Sequence, residues 1–170
     1  MDNIKSATKK LALMSMLLAL ITVLSFLEHM LPPLPFLPPN VRLGLSNIVT
    51  MYALIFLGKS SAVTLTVLKA VFAAVMRGVT AGILSLSGGM LSIIILLIAV
   101  RAGNLSYLIL GILGAIGHNL GQIITASFIL GTNLILPYLP VLLVSGTVLG
   151  SITGSLLGVV MPYFNKVFHQ

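Results

Sequence analysis

Apolar residues fill most of this chain, and the breaks between apolar runs fall at proline, glycine and isolated charge. Read this way, the pattern predicts helices at about 10–30, 42–57, 61–78, 87–101, 105–131 and 137–162 within a single membrane domain, residues 1–170. A helix crossing the hydrocarbon layer needs about 20 mostly apolar residues. The second and fourth are short by that measure; tilt, local thinning of the bilayer or burial among the other helices would accommodate them. The expected fold class is an all-α integral membrane protein of six transmembrane helices, with no sizeable soluble domain.

Charge makes the membrane assignment firm. No Asp, Glu, Lys or Arg occurs between Arg101 and Lys166, and Asp2 and Glu28 are the only acids. A soluble surface cannot be built from such a stretch. The net charge of +7 comes from basic residues scattered singly rather than clustered along one face, so no nucleic acid partner is expected. The absence of cysteine excludes disulfides, thiolate catalysis and a cysteine-ligated metal. Lys5, Lys9 and Lys10 ahead of an apolar run resemble a signal peptide, yet no small-residue cleavage site follows, so the run reads as a retained first helix. With the N-terminus inside, the inner ends and loops collect Lys5, Lys9, Lys10, Lys59, Arg101 and Lys166, and the outer side has Arg42 and Arg77. That asymmetry puts both termini on the cytoplasmic side.

The connections differ in kind. Gly58-Lys59-Ser60-Ser61 and Ala102-Gly103-Asn104 read as tight turns, whereas residues 31–40 carry Pro32, Pro33, Pro35, Pro38 and Pro39. Those prolines deny the segment helical and strand hydrogen bonds and stiffen it toward polyproline II. It is either a plain connector or a lid over an outward-facing pocket.

Ionisable side chains at bilayer depth cost at least a few kcal/mol and normally face a cavity or a partner. Lys69 falls near the middle of helix 3, with Arg77 two turns further on; Arg42 opens helix 2 and Glu28 closes helix 1. One reading is structural, with Glu28 pairing Arg42 or Arg77 and Lys69 snorkelling inward. One acid cannot neutralise three bases, however, and the surplus suits a ligand bearing a carboxylate or phosphate. On helix 5, Gly111, Gly114, Ala115, His118, Gly121, Gln122 and Thr125 form a small, polar stripe with Asn119 beside it. His118 is then an interhelical hydrogen bonder or part of a cavity wall; with no cysteine and no second histidine at ligand spacing, no metal site is expected. Glycine at 146, 150, 154 and 158 down helix 6 reads as close helix packing. Ala12, Ser15, Ala19 and Thr22 give helix 1 a small face, fit to dock an internal helix or a separate membrane subunit.

Several runs resemble the Gx transporter family, also named heptaprenyl diphosphate synthase component I. They are Asn40-Val41-Arg42-Leu43-Gly44-Leu45-Ser46-Asn47-Ile48 after the proline-rich segment, Ser87-Gly88-Gly89-Met90-Leu91-Ser92, Gly114-Ala115-Ile116-Gly117-His118-Asn119-Leu120-Gly121-Gln122, and Tyr138-Leu139-Pro140-Val141-Leu142 with Ser145-Gly146. The resemblance covers about residues 10–162, and the His118-Asn119-x-Gly121-Gln122 segment is its most specific part. It implies kinship with the substrate-binding S components of energy-coupling factor transporters. These are six-helix bundles that capture a vitamin or precursor from outside and dock, through an AxxxA-type motif on the first helix, a transmembrane coupling subunit driven by two ATPases. Ser15-Met16-Leu17-Leu18-Ala19 is the counterpart of that motif here, with serine in place of the first alanine.

The synthase name meets a chemical objection. Prenyl diphosphate synthases hold magnesium diphosphate through clustered aspartates, because a hard divalent ion needs several carboxylate oxygens, and Asp2 and Glu28 cannot supply them. No P-loop is present either. The expectation is therefore a non-enzymatic subunit, without cofactor or metal, that binds a small, anionic vitamin or an isoprenoid or quinone-related precursor. Its substrate contacts would be Arg42, Asn47, Lys69, Arg77, His118, Asn119, Gln122 and Tyr138, and its partner-docking residues Ala12, Ser15 and Ala19. Its partners would be the lipid bilayer, the coupling subunit and the ATPases. The alternative is a non-catalytic membrane accessory of heptaprenyl diphosphate or quinone synthesis. An autonomous secondary transporter is disfavoured by the lack of an inverted repeat and of an acidic ion relay.

Overall fold

A computed structural model describes residues 2–30, 45–133 and 135–168, with side chains described for 8–30, 45–133, 137–159 and 161–162. The described residues form six helices and no strand: α1 (Asp2–Met30), α2 (Asn47–Phe56), α3 (Lys59–Arg77), α4 (Val79–Ala102), α5 (Tyr107–Leu130) and α6 (Ile135–Phe168). Five contain stretches long and apolar enough to cross a membrane, the exception being α2. The protein is a multi-pass α-helical membrane protein.

Two helices depart from the sequence expectation, for different reasons. Helix α4 begins at Val79 rather than near 87, directly after Gly78, so it is 24 residues long and of ordinary spanning length. The residues taken for a loop, Thr80 to Leu86, include Gly82, which works here as a packing glycine. A Cβ there would stand 2.6 Å from the Ala74 Cβ and 3.0 Å from the Ala70 carbonyl, so its absence lets α4 approach α3. Gly78 itself adopts φ +93°, a conformation that L side chains resist, and this permits a one-residue turn between the two helices. Helix α2 is shorter than expected. At 1.5 Å rise per residue its 10 residues extend about 15 Å, roughly half the hydrocarbon thickness. It tolerates that length because it is interior: Val49, Thr50, Met51, Tyr52, Ala53 and Leu54 are all buried. Helix α1 also starts earlier than expected, at Asp2, and α6 continues through Pro162 to Phe168, whereas both ends of α3 and α5 lie within about two residues of expectation.

The helices are arranged in a row, α3 against α4, α4 against α5 and α5 against α6, with α2 touching every other helix and α1 resting on α2 and α3. Glycine sets the closest of these contacts. Gly111 of α5 faces Gly150 and Gly154 of α6, and a Cβ on Gly154 would lie 2.7 Å from the Leu108 Cα. Gly146 sits over Ile116 in the same way. The glycine stripe of helix 6 is thus a packing seam. Hydroxyls add bonds across the row: Ser92 Oγ donates to the Gly114 carbonyl (2.8 Å) and Ser87 Oγ to the Gly121 carbonyl (3.2 Å), joining α4 to α5. At the start of α5, Ser106 Oγ accepts from the Ile109 amide (3.4 Å), and at its end Gly131 takes the left-handed conformation (φ 64°) that closes a helix.

Candidate functional site

The polar residues of α2, α3, α4 and α5 meet in the interior. Asn47 opens α2, and its Oδ1 accepts a hydrogen bond of 2.7 Å from Lys69 Nζ on α3. Lys69 is 5% exposed, near the midpoint of an apolar helix. Holding an ammonium there costs about 3 kcal/mol on insertion scales, so the surroundings must compensate. Glu28, also buried, and Arg77 lie within electrostatic reach of Lys69. His118 of α5 lies within electrostatic reach of it as well. Four of the expected substrate residues, Asn47, Lys69, Arg77 and His118, therefore share one electrostatic neighbourhood.

His118 is 2% exposed and sits against the backbone of Gly88 on α4. A Cβ on Gly88 would stand 2.7 Å from His118 Nδ1 and 2.9 Å from Gln122 Cγ, so glycine is what allows both side chains to lie there. His118 Nδ1 finds no partner in hydrogen-bonding geometry. Neither do the buried hydroxyls of Ser46 and Thr50 on the α2 side, Thr66 on α3 and Ser85 on α4. An unpartnered buried polar group costs about 1–3 kcal/mol, so having this many of them, mostly in the helices that carry Asn47, Lys69 and His118, is not what stability alone would select.

A cavity of about 10 Å³ lies beside Asn47 and is lined by Met51, Ser92, Gly111, Gly114 and Thr153, among others. It has room for one water. Of the glycines of α5, expected to leave space around His118, Gly111 and Gly114 line this cavity, while Gly117 and Gly121 are taken up by close approach to α4. Gly114 meets Leu96 and Ser92, Gly117 meets Ile95, and Gly121 lies against the backbone of Ser87 and Gly88.

The other expected contacts fall elsewhere. Asn119 Nδ2 donates to the Leu142 carbonyl (3.3 Å) and to Ser145 Oγ (3.4 Å), which ties α5 to α6 rather than facing Lys69. Tyr138 is half-buried at the start of α6, and among the described residues no hydrogen bond joins it to the Lys69 neighbourhood. Arg77, although within electrostatic reach of Lys69, is half-buried at the far end of α3 and lines a second cleft with Ser25, Phe26, His29, Phe72 and Met76 rather than the cavity beside Asn47. Arg42 and the proline-rich segment lie outside the described residues. Thr66 and Ser85 were missed as site residues. The available signal was spacing: Thr66 is one turn before Lys69, and Ser85, Gly88, Gly89 and Ser92 recur on one face of α4.

On α1, Ala12, Ser15 and Ala19 are exposed, and Ser15 Oγ bonds back to the Leu11 carbonyl of its own helix (3.0 Å). The small face does not dock an internal helix. Leu17 and Ile21, on the opposite side, are buried against the bundle. Among the described residues no group of three or more His, Asp or Glu side chains converges.

A multi-pass helical bundle enclosing a buried lysine, an asparagine and a histidine is the class that this architecture defines. More particularly, the profile of the heptaprenyl diphosphate synthase component I family matches residues 17–160, and the chain belongs to that family. No curated protein and no solved structure matches the sequence.

Proposed function

We propose that this protein is the substrate-binding subunit of an importer of the energy-coupling-factor type in a bacterial plasma membrane, and that it works by capture rather than by reaction. The observation that carries this reading is the Lys69–Asn47 pair beside His118, a costly polar centre inside a membrane bundle. Membership of a family that resembles S components supports it, as does the exposed small face of α1, which suits a coupling subunit with its ATPases. Arg77, at the end of α3, would stand nearer the outer surface and draw an anionic ligand inward. Arg77→Ala is expected to slow ligand association up to about tenfold with a smaller effect on dissociation, as rim charges do, measured by stopped-flow binding at low salt. An unchanged association rate would remove Arg77 from the entry path.

The family description favours a second reading, a non-catalytic membrane accessory of heptaprenyl diphosphate synthesis. Purification from native membranes separates the two: a coupling subunit and ATPases are expected in the complex, whereas a soluble prenyl synthase in their place would favour the second. Topology provides a further check, because α2 is too short to cross the bilayer unaided. Both termini are expected in the cytoplasm, so cysteines placed at Ser6 and Asn165 should resist an impermeant thiol reagent added outside intact cells. Labelling of one alone would establish an odd number of crossings.

A further inference from the structure

We infer that the ligand binds through a carboxylate, and that Asn47 holds on Lys69 the position its carboxylate oxygen takes. This rests on the substrate-binding reading above and specifies its chemistry. The donor inventory comes first. An ammonium offers three N–H donors and no acceptor, and Lys69 gives one of them to Asn47 Oδ1. Among the described residues Asn47 Nδ2 is buried with no hydrogen-bond partner, and so is Thr66 Oγ1, one turn before Lys69 on the same helix face. A neighbourhood rich in unmatched donors suits an oxygen anion.

The charge balance then sets the sign of the ligand. Among the described residues Lys69 and Arg77 stand against Glu28, and Arg42, outside them, adds a third base in the sequence, so positive charge is left over for an anion. Size separates the anions: the space beside Asn47, about 10 Å³, suits a carboxylate oxygen and not a diphosphate. Position completes the argument. Asn47 both bonds Lys69 and lines the 10 Å³ cavity, to which Lys69 itself does not contribute, so Asn47 is the side chain that links the ammonium to the space. That space admits one small oxygen-bearing end and no whole ligand. Rotation of the Asn47 side chain would exchange a carboxamide oxygen for a carboxylate oxygen on Lys69 and leave Nδ2 free to donate to the same group. The charged acceptor makes the stronger bond, which gives the exchange its direction.

The test uses the full chain in lipid nanodiscs and reads thermal unfolding against probes: benzoate and butyrate, their neutral amides, inorganic diphosphate, and chloride as the ionic-strength control. At least one carboxylate is expected to raise the unfolding temperature by about 3 °C or more, its amide and diphosphate by less than about 1 °C. Lys69→Met, which removes a buried charge with little change of volume, should fold and lose the response. Asn47→Asp should be more stable than wild type without any probe and also unresponsive, because it supplies the anion from within. Stabilisation by diphosphate or by the amide equal to that by carboxylate would overturn the inference. So would a full carboxylate response in Lys69→Met, or no response to any probe above the chloride control. Failure of the importer reading is visible separately: carboxylate binding by a protein that purifies without coupling subunits would sink that reading and leave this one, and a neutral ligand carried in an intact importer complex would do the reverse.

Discussion

Gly150→Ala is expected to destabilise the bundle by about 3 kcal/mol, measured as unfolding in mixed detergent, while Gly158→Ala, two turns along the same stripe, stays within about 0.5 kcal/mol of wild type. The two glycines look alike in sequence and differ in what they face. A Cβ on Gly150 would collide with the backbone of α5, standing 2.7 Å from the Gly111 carbonyl and 2.8 Å from the Ile112 amide nitrogen. Backbone cannot rotate out of the way, so α5 and α6 would have to separate along their most extensive contact. A Cβ on Gly158 would meet only the Tyr107 ring at 3.9 Å, an ordinary contact. Alanine's better helix propensity offsets part of the loss at Gly150 and adds a little at Gly158. Gly146, facing Ile116 at 2.9 Å through a side-chain atom, belongs between them. Equal losses at 150 and 158 would show that the seam is not set by close backbone approach.

The same distinction explains what the sequence could and could not reveal. Helix number and type were legible because hydrophobic length is a local property, although six spans were expected and five helices are long enough to cross; the expected bounds of helix 5, 105–131, fall within two residues of α5, whose end signals, Ser106 and Gly131, are local too. The start of α4 was not, because Gly82 reads as a breaker until α3 lies beside it. The site divides along similar lines. Lys69 and His118 announce themselves, since an ionisable group in an apolar run is costly wherever it points. Asn119 carries the same polar signal, yet one residue is 100° of helical turn, and that rotates it from the Lys69 side to α6. The glycines of α5 divide: Gly117 and Gly121 admit the neighbouring helix α4, whereas Gly111 and Gly114 line the small cavity beside Asn47. Small residues permit close approach, and only the neighbouring helix decides whether the space stays open.

The polar centre also constrains how any ligand could bind. On the proposed reading, a cavity of about 10 Å³ does not hold a vitamin-sized molecule, whose pockets run to hundreds of cubic ångströms, so capture would require the residues that line it to rearrange. Asn47, at the first position of the short, buried α2, lines that cavity and bonds Lys69, so contact of a ligand with Lys69 would be coupled to such a change of shape.

Loss of uptake, with binding preserved, is the expected result of replacing Ser15 and Ala19 together by leucine. The two residues lie one turn apart on α1, both exposed, and α1 meets the rest of the bundle through Leu17, Ile21 and Glu28 on the other side. Added bulk at 15 and 19 therefore points away from α2 and α3 and away from the Lys69 neighbourhood. Leucine favours helix and is at home against lipid, so folding should be unaffected, and removal of the Ser15 hydroxyl breaks only a bond within α1. A partner helix that approaches closely over small residues would be held off by two isobutyl groups, abolishing van der Waals contact along that seam. The double mutant should bind ligand in nanodiscs as wild type does, fail to copurify with a coupling subunit and reduce cellular uptake at least about tenfold. Wild-type uptake would remove this face from the docking surface. Weakened ligand binding in the isolated subunit would instead show that α1 communicates with the polar centre, most directly through Glu28, one of the charged groups within electrostatic reach of Lys69.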